Sequence, residues 1–130
     1  MPANELRLAL TVENYEEALA FYRDALGLPV LEVWRSPEGD VTLLDAGRAT
    51  LELLEPGHAA AVDEIEVGRR VAGAVRFAFE VDDSVASAEA LEAAGAKHVG
   101  GPVETPWRHR NVRLEAPDGM QLTLFTVLDA

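Results

Sequence analysis

The chain has 130 residues, 48% of them hydrophobic, which suits one domain, or two small modules sharing a core, and argues against disorder. Its 11 Lys and Arg stand against 23 Asp and Glu, a formal charge of −12. That balance argues against nucleic acid, whose phosphates need a basic face, and permits a cationic ligand, though an acidic surface also serves solubility. The absence of cysteine excludes disulfides and thiolate metal sites and is compatible with a reducing compartment. No apolar run approaches the roughly 20 residues that span a bilayer. The opening MPANEL lacks the basic-then-apolar pattern of a signal peptide, so the expectation is a cytoplasmic protein with neither membrane nor nucleic-acid partner.

Leu6–Val12 alternates strictly, with Leu6, Leu8, Leu10 and Val12 on one face, the mark of a strand packed on one side. Asn14 is a good N-cap for a helix whose buried stripe is Tyr15, Ala18, Leu19, Tyr22, Ala25 and Leu26. Gly27 stops it and Pro29 prevents its resumption. Val30–Arg35 and Val41–Asp45 read as strands around the Ser36-Pro37-Glu38-Gly39 turn, and Ala49–Leu54 as a fourth. Glu55–Gly73, with Pro56, Gly57, Gly68 and Gly73, reads as a linker carrying a short helix around Ala59–Ile65.

The plan then repeats. Val75–Val81 alternates as the first strand does, and Arg76 holds the place of Arg7. Asp83 caps a helix with Val85, Ala88 and Leu91, stopped at Gly95. Lys97–Val99 is a short strand broken by Gly100-Gly101-Pro102, and Val103–Trp107 leads into a strand at Asn111–Glu115. Ala116-Pro117-Asp118-Gly119 is a turn before Met120–Val127, where Leu122 and Leu124 share one face and Gln121, Thr123 and Phe125 the other. The fold class is α+β: two βαβββ modules in one domain over 1–130, with module one at 1–57, a linker at 58–73 and module two at 74–130.

The stretches VENYEEALAFYRDALGL and APDGMQLTLF resemble the vicinal oxygen chelate superfamily, which includes glyoxalase I, extradiol dioxygenases, fosfomycin-resistance enzymes and bleomycin-binding proteins. The resemblance implies curved mixed sheets enclosing a cavity, often across a homodimer. It also implies metal-ligand positions on the first and last strand of each module, here Arg7, Glu52, Arg76 and Thr123. Metal-dependent members usually carry His and Glu there, so one ligand of the set survives. Arg has no lone pair to give and stays protonated, and Thr offers only a neutral hydroxyl. The expectation is therefore no metal and no cofactor.

Arg7, Arg76 and Glu52 are expected to converge on the cavity, either as a charge network or with one guanidinium free for a ligand carboxylate, phosphate or carbonyl. Trp34, on a strand face with Glu32, and Trp107, in TPWRHRN, offer stacking surfaces for a planar ligand. Arg113, alternating with Val112 and Leu114, is a further ligand-binding candidate alongside Thr123. His109 lies beside Trp107, whereas His58 and His98 match no ligand position. The leading reading is a metal-free small-molecule binding protein of the glyoxalase/bleomycin-resistance type, sequestering an antibiotic or similar planar metabolite, as a homodimer. The alternative is a metal-independent lyase or isomerase in which Arg7 and Arg76 polarise the substrate and Glu52 is the base, but two neighbouring arginines would weaken that base. A metal-dependent glyoxalase or dioxygenase ranks below both.

Overall fold

In a computed structural model the chain is described at residues 5, 7–50 and 52–128. It divides into two compact units, Met1–Glu52 and Leu53–Ala130. Among the described residues there are two sheets and three helical segments, an α+β architecture.

The first unit is a helix and a hairpin. Helix α1 spans Tyr15–Ala18 and widens into a π-helical segment, Leu19–Ala25. The Asn14 side chain accepts from the Glu17 amide at 3.0 Å, satisfying one donor that a helix start leaves orphaned. Gly27 follows at φ +79°, the left-handed conformation that glycine adopts without strain. Strand β1 (Val30–Trp34) pairs antiparallel with β2 (Val41–Leu44). The Tyr15 hydroxyl hydrogen-bonds Thr42, tying helix to hairpin. Phe21 and Tyr22 are the buried apolar residues here, in edge contact at 5.1 Å between ring centroids.

Two strands expected from alternation carry no ladder pairing in the described residues, 7–12 and 49–54 without Leu51. Leu6 and Leu51 lie outside those residues. Leu8 and Leu10 are 57% and 38% exposed, so the side expected on a core has water against it. Alternation records which residues could share a face, but pairing also needs an edge and a covering layer.

The second unit opens with helix α2, Pro56–Glu66, longer than the short helix expected in the linker. Pro56 suits its first turn because a proline has no amide to leave unsatisfied. A complete βαβββ module follows. Strand β3 (Phe77–Glu80) leads to α3 (Ser84–Ala93), β4 (Lys97–Glu104), β5 (His109–Glu115) and β6 (Gln121–Val127). The sheet order is β3-β6-β5-β4, parallel between β3 and β6 and antiparallel elsewhere. The Asp83 side chain caps α3 through the Val85 and Ala86 amides, both at 3.1 Å. Strand β4 runs through Gly100-Gly101-Pro102 with irregular register rather than breaking there.

The two sides of this sheet differ. Val112, Leu114, Leu122 and Leu124 share one side, are almost fully buried, and form the core with Ala88 and Leu91 of α3. The other side carries the polar residues of β5 and β6, and α2 packs over it. Gly100 permits this: a Cβ there would overlap the Glu66 carbonyl oxygen at the end of α2. Among the described residues no helix is long and apolar enough to cross a membrane.

Candidate functional site

Cross-strand pairing aligns Asn111, Arg113 and Glu115 of β5 with Phe125, Thr123 and Gln121 of β6. Paired residues point to the same side, so alternation brings these six to one face. Helix α2 meets that face with Val62, Asp63 and Glu66, the buried residues of its sequence. Arg113 is fully buried at the centre. Its Nη1 donates to Asp63 Oδ1 at 2.8 Å and to Gln121 Oε1 at 3.4 Å, and its Nε donates to Glu66 Oε1 at 3.1 Å. The Thr123 hydroxyl donates to the same Glu66 oxygen at 2.7 Å and accepts from Arg76 Nη1 at 2.8 Å. Asn111 Nδ2 donates to Glu66 Oε2 at 2.9 Å. A chain of hydrogen bonds thus runs from Arg76 through Thr123 to Glu66 and on to Arg113 and Asn111.

Asp63 is the second anchor. Its Oδ2 accepts from Arg70 Nη1 at 2.7 Å and from the amides of Val71 and Ala72 at 2.8 and 2.9 Å. Burial by itself would raise this carboxyl. The two amides and the guanidiniums of Arg70 and Arg113 outweigh burial and hold it well below the usual carboxylate range. Arg113 Nη2 and Asn111 Oδ1 are buried without a hydrogen-bond partner.

Further along the same face the residues are aromatic. The His109 ring stacks on Phe125 at 4.9 Å and 15°, and Trp107 stands edge-on to His109 at 6.5 Å and 83°. Trp107 is 41% exposed, and His109 and Phe125 are half-buried. The row is therefore open enough to meet a ligand.

Of the residues singled out from sequence, Arg76, Arg113 and Thr123 meet in this cluster and Trp107 ends the aromatic row. Arg7, Trp34 and Glu52 belong to the first unit, where Arg7 pairs with Glu5 and all three side chains are exposed. Of the remaining histidines, His98 bonds the Gly101 carbonyl at 2.8 Å and His58 sits in the first turn of α2. Sequence reading missed Asp63 and Glu66, because carboxylates in a mixed-charge linker look solvated. Their signal was the spacing: Val62, Asp63 and Glu66 fall on one side of a helix.

The chain belongs to the glyoxalase/bleomycin resistance protein/dioxygenase superfamily, whose pattern it matches over residues 6–124. It is 24% identical over 127 residues to the uncharacterized protein YraH of Bacillus subtilis (strain 168), covering 95% of this chain and 98% of the other. Its fold is similar to that of TnmS3, an antibiotic binding protein from Streptomyces sp. CB03234, with a TM-score of 0.64, 22% identity and 98% of each chain covered. A glyoxalase family protein from Bacillus cereus gives a TM-score of 0.59 at 18% identity, with 99% of each chain covered. At these identities the solved structures speak to the fold alone.

Arg76 and Thr123 occupy positions expected to hold metal ligands in metal-dependent members. A guanidinium offers no lone pair, and this one donates to the hydroxyl beside it. That pair does not fit a divalent metal. Among the described residues no three His, Asp or Glu side chains converge as a metal would require.

Proposed function

We propose that the protein binds a small planar molecule without a metal, as a cytoplasmic homodimer. The observation that carries this reading is the half-exposed row of Trp107, His109 and Phe125 beside the Arg76–Thr123 pair. Flat rings already stacked present a surface that a planar ligand meets at little entropic cost. Arg76 lies half-buried on that face to orient the ligand, Thr123 positions its guanidinium from the buried side with a hydroxyl already committed to Glu66, and Arg113 holds α2 in place. Membership of a superfamily that includes bleomycin resistance proteins supports it, as does likeness to an antibiotic binding protein.

A variant Trp34→Phe leaves Trp107 as the one fluorescent indole. Titrated with planar cationic antibiotics and with aromatic carboxylates, it should show saturable quenching by at least one of them. Adding Phe125→Ala should weaken that binding several-fold, because the stacked platform loses its far ring. An affinity indifferent to Phe125 would refute the aromatic row as the site.

A further inference from the structure

Where the chain leaves α2, a depression of about 320 Å³ opens on the second unit, lined by Arg69, Arg70, Val71, Val99, Glu115 and Gln121. That volume is at the lower end of small-ligand pockets, roughly 300–1,000 Å³. Its polar groups are mostly donors, and the fold holds Arg70 and Gln121 in place. Arg70 is fixed through Nη1 to buried Asp63, and that same carboxylate takes the next two backbone amides, so the whole turn bearing Arg69 and Arg70 is pinned. Gln121 is nine-tenths buried, and its Oε1 is turned toward Arg113. That orientation leaves its amide Nε2 for another partner. Arg69 is exposed and forms no hydrogen bond or ion pair with any described residue. The carbonyls of Asp63 and Glu64 in the last turn of α2 already accept from Val67 and Gly68, so the helix end is capped.

We propose that this depression binds the carboxylate of a small organic acid. A planar carboxylate matches the arginine fork and can also take the Gln121 amide. Val71 and Val99 give a short apolar body somewhere to rest. Glu115 in the lining makes a second negative charge unwelcome and so favours a carboxylate over a phosphate dianion. The assignment is independent of the aromatic row, and either can fail alone.

The test is a ¹H–¹⁵N NMR titration of the full chain, with acetate in one arm and inorganic phosphate in the other, at constant ionic strength and pH. Acetate should saturate in the millimolar range, moving the Gln121 side-chain amide and the Arg69 Nε–H, while phosphate binds more weakly. Arg69→Ala breaks no hydrogen bond or ion pair among the described residues and should weaken acetate roughly tenfold, the loss of one charge-assisted hydrogen bond. Glu115→Gln should tighten it several-fold. Shifts that never saturate, an affinity unchanged by Arg69→Ala or Glu115→Gln, or phosphate binding as tightly as acetate would each overturn the proposal.

Discussion

Arg113 has no exposed surface, and a guanidinium cut off from water must find its partners inside the fold. It finds two carboxylates, each itself almost fully buried. Such a set contributes little net stability when intact, but removing one member strands the others. Arg113→Met should therefore cost roughly 3–5 kcal/mol in urea denaturation, because Asp63 and Glu66 lose their shared cation in a place without water. Arg70→Met removes a half-exposed partner and should cost about 1 kcal/mol or less. Equal costs would mean that the centre of the cluster is wet. The pH dependence has a definite sign. Asp63 is held below its ordinary value in the folded chain, so its contribution is fully present above the unfolded value, roughly pH 4, and is lost as the pH falls through the lower folded value. Asp63→Asn should flatten that part of the acid limb in a stability-against-pH curve.

Helix α2 couples the buried charges to the sheet, and Gly100 sets how closely it can approach. Gly100→Ala would push the Glu66 backbone away and stretch the bonds to Arg113 and Thr123, costing roughly 1–3 kcal/mol as overpacking does. Hydrogen exchange should then quicken in α2 while α3, on the opposite side, keeps its protection; equal loosening of both would contradict this. Much of the second unit was legible in the sequence. Asp83 capping α3, Gly95 ending it, and the alternation of Leu122 and Leu124 against Thr123 and Phe125 all depend on local geometry that spacing reports. Gly100 was misread as a strand break because a glycine needed for close approach looks the same in sequence as one needed for a turn. Asp63 and Glu66 were missed because their partners stand on strands far along the chain. Arg113 was placed on the correct side by alternation, but alternation says nothing of which helix covers it. Leu8 and Leu10 show the converse limit: a clean period-two pattern without a paired edge.

On the scale of the whole molecule, the hairpin of the first unit leaves apolar side chains uncovered. Val30, Leu31, Val33, Trp34 and Val41 are each at least 40% exposed. A cluster of uncovered apolar side chains marks an interaction surface, and in the proposed reading a second copy covers it. Light scattering at micromolar concentration should give twice the 14.0 kDa chain mass, and a stable monomer would contradict the dimer. In the proposed reading the ligand binds without a metal, because Arg76 and Thr123 stand where metal-dependent members carry lone-pair donors. The check is calorimetric titration of a planar antibiotic that quenches Trp107, before and after exhaustive dialysis against a chelator. Both preparations should show the same saturable binding. Binding that vanishes on chelation and returns with a divalent metal would contradict it.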